Sequence, residues 1–124
     1  MRWILVTAAI FGASSVIIGA ALRHLGGNMD MDVLQTALRY HQLYSSVLLA
    51  LGLYALNKPL SKRTIIPAVL FTSGILIFSG SLYAMAVFNM SALGQLAPVG
   101  GLCFIAGWLS IAFIRPSKLK DNGT

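Results

Sequence analysis

Four long apolar stretches, with almost every charge placed between them, constrain this chain more than any other feature of its sequence. The first occupies 3–22 without one charged residue. An α-helix rises about 1.5 Å per residue, so about 20 such residues cross the roughly 30 Å hydrocarbon core of a bilayer. The other stretches lie at 33–56, 65–88 and 98–114. The pattern predicts an all-α membrane protein, with residues 1–124 as a single domain and four transmembrane helices in one antiparallel bundle.

The composition supports a membrane protein and argues against a nucleic-acid partner. Apolar residues make up 57% of the chain and charged residues 10%, which is outside the range of ordinary soluble domains. The net charge of +6 would suit a nucleic-acid binder, but the basic residues flank the apolar stretches instead of forming a basic face with interleaved aromatic side chains. We therefore expect membrane lipids, and no nucleic acid, around this protein.

The distribution of basic residues predicts the orientation in the membrane. Seven of the nine Lys and Arg residues lie before the first stretch, between the second and third, or after the fourth. Only Arg23 and Arg39 fall near the opposite side, so the positive-inside rule places both termini in the cytoplasm. Trp3, Tyr40 and Tyr44 are expected to anchor the helices at the membrane interfaces, where amphipathic rings are favoured.

The second stretch is the most polar of the four. Asp32 and Gln35 resemble a capping box that starts the helix, and only 43–56 is apolar throughout, which is too short to cross a bilayer by itself. We expect its early turns at the outer edge of the membrane, or with one polar face inside the bundle and the other against water or a neighbour. One polar stripe of this helix consists of Gln35, Arg39, Gln42 and Ser46.

The connection before the fourth stretch favours a loop. Residues 89–97 mix polar and small side chains, and Pro98 suits the first turn of the helix that follows. Two positions are open for this loop: the outer membrane interface, or a dip into the membrane where protein or water satisfies its backbone.

Small residues recur on one face of three of the helices. Spacings of three and four residues keep side chains on the same face. In lipid, such a face lets helix backbones approach closely, which is a main source of helix association. We predict that these seams hold the bundle together; the alternative is that some of them face a second subunit. They are Ala8, Gly12, Ser15 and Gly19 on the first helix, Ser73, Gly80 and Ala84 on the third, and Gly100, Cys103, Gly107 and Ser110 on the fourth.

Two strings resemble a known family. Residues 78–83 read Phe-Ser-Gly-Ser-Leu-Tyr, and 98–108 follow the pattern P-x-G-G-x-x-F-x-x-G-W. Both are similar to the YgdD/YwdK family of small membrane proteins, whose members carry a domain of unknown function. The resemblance implies a four-helix bundle in the inner or cytoplasmic membrane of a bacterium, and it implies no activity. The family's histidine on the second helix falls on Tyr44 or Ser45 here, one turn from His41.

Polar and aromatic side chains near the outer ends of the first three helices form a candidate binding site. Arg and His donors at this depth suit a lipid headgroup, a quinone carbonyl or a small anion. In the alternative interpretation, the same side chains lie at the interface and satisfy helix ends. The candidate residues are His24, Arg39, His41, Tyr44 and Tyr83.

The sequence predicts neither a metal site nor catalysis. Two histidines without a metal-binding motif provide too few ligands, and a lone Cys103 forms no internal disulfide. The three acidic residues lie outside the apolar stretches, and Ser79 or Ser81 would need a positioned base to act as a nucleophile. We therefore expect no bound cofactor, no metal and no enzymatic activity.

These observations favour a small accessory or assembly protein of the bacterial cytoplasmic membrane. Its glycine-rich seams would recognise another membrane protein, or a second copy in a homo-oligomer. Two alternatives stay open. The first is a binder or carrier of a lipid or quinone that uses the outer His, Arg and Tyr residues. The second is an oligomeric channel with the polar stripe of the second helix along its axis.

Overall fold

The computed structural model describes residues 2–25, 27–56, 58–59 and 61–114, and all regular structure within these ranges is helical. This confirms the all-α prediction for the described part of the chain. The basic residues that follow position 114 lie outside it. The helices are α1 (Arg2–Leu25), α2 (Met31–Ala55), α3 (Lys62–Gly74), a π-helix (Ile75–Ser79), α4 (Gly80–Phe88), a 3₁₀-helix (Ser91–Leu96) and α5 (Ala97–Ile111).

Three helical segments are long and apolar enough to cross a membrane. They are Arg2–His24, Lys62–Phe88 and Ser91–Ile111, as found within the described residues. The segment Lys62–Phe88, called the third rod below, joins α3, the π-helix and α4 without a break. Helix α2 is long enough but not apolar enough to be among them, because its first half is rich in polar residues. The prediction of a fourth span at 33–56 therefore stays a prediction.

The start of α2 and the segment before α5 differ from the sequence-based expectation. Asp30, and not Asp32, caps α2, since its carboxylate accepts a hydrogen bond from the backbone N–H of Val33 at 3.3 Å. Asn89 ends α4 in the left-handed conformation, with a φ of 55°. The chain then enters a 3₁₀-helix that leads directly into α5, with Pro98 in its first turn. Most of the expected loop at 89–97 is therefore helical.

Helices α1 and α2 run antiparallel and pack along most of their lengths. Gly52, near the end of α2, packs against Leu5, near the start of α1. Gly19, near the end of α1, packs against Leu38 of α2. A Cβ added at Gly52 would come within 2.7 Å of Leu5, so glycine is what allows this approach. The two helices therefore lie side by side over nearly the same length.

An aromatic cluster joins α2, the third rod and α5. Tyr44 is 4% exposed, and its ring stacks on Phe104 at 3.8 Å between centroids. The indole N–H of Trp108 donates a hydrogen bond to the Tyr44 hydroxyl at 2.6 Å. Tyr40 packs on Phe78 at 4.7 Å. The expectation that Tyr44 is an interfacial anchor is therefore wrong: its amphipathic ring finds its polar partner inside the protein.

Large apolar side chains cover the outside of the helices. Ile17 of α1 is 68% exposed, and Leu102 and Leu109 of α5 are each 65% exposed. In water such a surface would be costly, at about 25 cal/mol for each Å² of apolar area. A hydrocarbon environment removes this cost, as expected for helices that face lipid.

Candidate functional site

A buried histidine links three helices through its two ring nitrogens. His41 of α2 is 4% exposed. Its Nε2 lies 3.2 Å from the hydroxyl oxygen of Ser14 on α1, and its Nδ1 lies 3.0 Å from the hydroxyl oxygen of Tyr83 on α4. The rings of Phe11 and Tyr83 meet the imidazole edge-on, each at 5.9 Å between centroids. We call Ser14, His41 and Tyr83 the polar hub.

The hydrogen bonds of the polar hub fit one proton arrangement of a neutral imidazole. The Ser14 hydroxyl donates to the backbone carbonyl of Phe11 at 3.0 Å, so its oxygen accepts from His41. Nε2 therefore carries the proton and Nδ1 accepts from the Tyr83 hydroxyl. The imidazole is neutral in this arrangement, and both of its nitrogens are occupied. A ligand or metal would have to displace one of these bonds.

Other buried hydroxyl groups donate to backbone carbonyls, either between helices or within one. Ser79 of the π-helix donates to the backbone carbonyl of Ala37 on α2 at 2.7 Å. Ser45 donates to the carbonyl of His41 at 2.6 Å, within α2. In the described part of the chain, every buried side-chain nitrogen or oxygen has a hydrogen-bond partner. The buried hydroxyl groups of the described residues are therefore satisfied by the protein itself.

Glycine and phenylalanine pair reciprocally between α3 and α5. Phe71 of α3 packs its ring on Gly107 of α5, and Phe104 of α5 packs its ring on Gly74 of α3. Each helix therefore presents a phenylalanine three residues before a glycine, and antiparallel packing places each ring over the opposite glycine. Nearby, a Cβ at Gly100 would collide with the backbone of Phe78. Much of the pattern at 98–108 thus has a packing role in this structure.

The remaining small residues divide between packed and open positions. Ala8 and Ser15 are buried, and the Ser15 hydroxyl donates to the carbonyl of Gly12. A Cβ at Gly12 or Gly80 would find no atom within 4 Å. Half-buried positions on the predicted seams are Ser73, Ala84, Cys103 and Ser110. The α1 face is therefore only partly used by α2.

A groove remains open between α1 and α2 where Gly12 lies. Its volume is about 260 Å³. We call it the small-residue groove, and Gln42 and Ser46 of α2 form its polar wall. Both side chains are exposed. The residues that line it are Leu5, Ala8, Ala9, Gly12, Ser15, Gln42, Ser45, Ser46 and Leu49.

A second groove continues from the first toward the connection between α1 and α2. Its volume is about 620 Å³, and Gln42 lines both grooves. Arg23 from α1 and Arg39 from α2 face it, so we call it the cationic groove. The residues that line it are Val16, Gly19, Ala20, Leu22, Arg23, Met31, Gln35, Leu38, Arg39 and Gln42.

The five candidate binding residues lie in different parts of the molecule. His41 and Tyr83 meet in the polar hub, whereas Tyr44 belongs to the aromatic cluster. Arg39 lines the cationic groove. His24 is exposed at the end of α1 and lines neither groove. Within the described residues, no group of three or more His, Cys, Asp or Glu side chains is placed to hold a metal ion.

Sequence reasoning missed three contributors to these sites. Ser14 carries no signal of its own, because a serine in an apolar helix more often bonds its own backbone. Trp108 was not expected to reach Tyr44, since that contact depends on how α5 packs. Arg23 could have been paired with Arg39, because the predicted topology already put both on the same side of the membrane.

A family model matches residues 18–101 of this chain, and its description is "Protein of unknown function (DUF423)". The match includes all of α2 and the third rod, together with the start of α5 and the end of α1. It therefore spans most of the polar hub, the aromatic cluster and the cationic groove, but not Ser14, Phe104 or Trp108. No solved structure matches the chain.

Curated relatives share about a third of their residues with this chain over most of its length. The UPF0382 inner membrane protein YgdD of Escherichia coli (strain K12) is 32% identical over 126 residues, which covers 98% of this chain and 95% of that protein. The UPF0382 membrane protein YwdK of Bacillus subtilis is 34% identical over 120 residues, with 90% and 94% covered. A UPF0382 membrane protein of Haemophilus influenzae is 33% identical over 113 residues, with 88% and 90% covered.

Proposed function

Because the chain belongs to the DUF423 family, whose curated relatives are named UPF0382 membrane proteins, we propose that it is a four-span protein of the bacterial cytoplasmic membrane with both termini in the cytoplasm. It acts there as a non-enzymatic accessory protein that binds another membrane protein. The relatives' names support a location in the membrane, and they say nothing of the role.

The packing of α2 supports a fourth crossing. Helix α2 has 25 residues, so it is about 37 Å long. Its contacts with α1 pair Gly52 with Leu5 and Gly19 with Leu38, near both ends of α1. If α1 crosses the membrane, α2 lies at the same depth and crosses it in the opposite direction. Of its polar side chains, His41 then faces the polar hub, and Gln35, Arg39, Gln42 and Ser46 line the two grooves.

The charge distribution supports the orientation. Arg2, Lys58, Lys62 and Arg63 lie at the same end of the bundle when the helices alternate in direction, whereas Arg23 lies at the opposite end. Basic connections are retained in the cytoplasm. Both termini of an even-numbered bundle are then cytoplasmic.

One observation carries the proposed interaction: the side chain of Gln42 is exposed near the middle of α2. Its amide makes no hydrogen bond with any described residue. Lipid tails offer none, and an amide without a partner in an apolar medium costs on the order of 1–3 kcal/mol by protein mutational data. A partner helix in the small-residue groove would supply a hydrogen bond to Gln42 and fill the open space beside Gly12.

The hydrogen bonds of the buried polar side chains support a role without catalysis. Both nitrogens of His41 are engaged, and the buried serine hydroxyls bond backbone carbonyls. These groups stabilise the bundle as they stand. An interaction surface needs only the outward face of α1 and α2, which leaves the interior unchanged.

Site-specific crosslinking in native membranes tests the proposal. A photoreactive amino acid replaces Leu49, which lines the small-residue groove and is 47% exposed. The control position is Leu109 on α5, which is 65% exposed and outside the groove. We expect a discrete protein adduct from position 49 and none from position 109. Adducts of lipid alone at both positions would refute the interaction.

A pair of glycine variants, at positions where an added Cβ meets no other atom, tests the same groove. A Cβ meets nothing within 4 Å at Gly12 or at Gly101, so Gly12→Leu fills the groove while Gly101→Leu is its control on α5. We expect Gly12→Leu to abolish the crosslink from position 49 and Gly101→Leu to retain it. An adduct of twice the chain's own mass would identify the partner as a second copy.

A further inference from the structure

The cationic groove gathers two positive charges from two different helices into one concave surface. Arg23 lies two residues before the end of α1, and Arg39 lies in the first half of α2. Neither guanidinium makes a hydrogen bond or an ion pair with any described residue. Asp30 and Asp32 lie near the same end, where the Asp30 carboxylate caps α2, and neither carboxylate forms an ion pair with Arg23 or Arg39. The groove therefore presents two unpaired cations to whatever occupies it.

The depth of Arg39 makes its lack of a partner costly. Met31 begins α2, and Arg39 lies eight positions further on, which corresponds to about 12 Å along the helix axis. An arginine inside the membrane is expensive unless it snorkels or meets an anion. A planar guanidinium binds a phosphate oxygen pair through two parallel hydrogen bonds. A phosphate group is therefore the partner that best suits this position.

The walls of the groove indicate an amphiphile and not a soluble anion. Val16, Ala20, Leu22 and Leu38 are apolar and lie beside the two arginines, while Gln35 adds an amide donor and acceptor. A soluble phosphate would gain nothing from the apolar walls. A second copy of the chain that used the same face would bring like charges together in a two-fold contact, which is unfavourable.

We propose that the cationic groove binds one anionic phospholipid, with its phosphate held by Arg23 and Arg39 and an acyl chain against the apolar wall of Val16 and Leu38. The site adjoins the partner-helix surface, since Gln42 lines both grooves, but the arginines line only the cationic groove. Loss of one site therefore leaves the other measurable.

Native mass spectrometry of the purified full chain tests the site. The protein in detergent is titrated with phosphatidylglycerol, phosphatidylcholine or glycerol phosphate. We expect one phosphatidylglycerol to bind at least about tenfold more tightly than phosphatidylcholine, and glycerol phosphate not to bind. Equal affinity for the two lipids would overturn the proposal, and so would glycerol phosphate that binds as tightly as the lipid.

Charge variants assign the binding to the groove. Arg39→Gln and Arg23→Gln are expected to remove the preference for phosphatidylglycerol, and Arg39→Lys to restore only part of it, because lysine keeps the charge but loses the planar fork. The control is Lys62→Gln, which removes one exposed charge at the opposite end of the bundle. Unchanged lipid preference in both arginine variants would contradict the site.

Thermal unfolding and oligomeric state complete the test. Both arginines are exposed, so the variants should unfold at the same temperature as the wild type when no lipid is added. A wild-type dimer that Arg39→Gln dissociates, with no difference between the lipids, would assign the groove to a second copy and overturn the proposal. The crosslink from position 49 should persist in Arg39→Gln.

Discussion

Replacement of Gly100 by alanine should destabilise the protein, whereas the same change at its neighbour Gly101 should not. A Cβ on Gly100 would lie 2.6 Å from the Cβ and 2.7 Å from the Cα of Phe78, and closer still to its backbone nitrogen. Ordinary contacts of this kind begin near 3.4 Å. Because the obstacle includes backbone, the third rod and α5 must separate by nearly 1 Å.

The expected loss of stability follows from a comparison of the alanine variants at Gly100 and Gly101. Overpacking of a close contact costs about 1–3 kcal/mol. Alanine also favours a helix over glycine by about 1 kcal/mol, but this gain is the same at both positions and cancels in the difference. We therefore expect Gly100→Ala to have a free energy of unfolding about 1–3 kcal/mol lower than that of Gly101→Ala, where a Cβ meets no atom within 4 Å.

Reversible unfolding in mixed micelles of dodecyl sulfate and a mild detergent measures this difference directly. Helix content by circular dichroism gives the unfolding transition of each variant and of the wild type. Gly101→Ala should match or slightly exceed the wild type. If Gly100→Ala proves as stable as Gly101→Ala, the close approach of α5 to Phe78 is refuted, and with it the packing role assigned to the 98–108 pattern.

Two further predictions concern the buried hydrogen bonds. Tyr83→Phe leaves Nδ1 of His41 without a donor, so the free energy of unfolding should fall by about 1–3 kcal/mol; an unchanged transition in the same micelles would mean that the polar hub is not formed. Ser79→Ala removes the hydrogen bond to Ala37 of α2 and should cost about 0.6 kcal/mol. Ser81→Ala should cost less, since its hydroxyl bonds Phe78 within the same rod, and the reverse order would contradict the interhelical bond.

The positions of the apolar helices could be predicted from the sequence, because length and hydropathy alone decide what suits a bilayer. The third rod begins three residues before its predicted span and ends where predicted, at Phe88. The spacing of glycines also pointed to Gly100 and Gly107, which lie in close helix contacts. These features depend on local composition and on the helical period, and both can be read along the chain.

The partners of individual side chains could not be predicted, because they depend on helix rotation. The π-helix adds a residue to the turn, and Ser79 at its end reaches Ala37. Similarly, Tyr44 has the sequence pattern of an interfacial ring, but the packing of α5 gives it Trp108 as a buried donor. The cap of α2 lies two residues earlier than predicted for a simpler reason, since Asp30 and Asp32 are both suitable capping residues.

Which of the small-residue seams stays partly open could not be predicted from the sequence. Ala8, Gly12, Ser15 and Gly19 have the spacing of a single seam, yet α2 covers it unevenly and leaves space beside Gly12. Small residues permit a close approach without requiring one. The two grooves therefore depend on how α1 and α2 pack, which the sequence pattern does not determine.

The crossing of α2 is the central claim, and the accessibility of the two connections that flank it gives the most direct test. In a Cys103→Ser background, a cysteine replaces Asn28, before α2, or Ser61, after it; both positions are exposed. Intact bacterial cells are treated with a membrane-impermeant maleimide, and then again after permeabilisation. The proposed topology predicts that position 28 reacts in intact cells and that position 61 reacts only after permeabilisation. Reaction of both positions under the same condition would show that α2 does not cross the membrane.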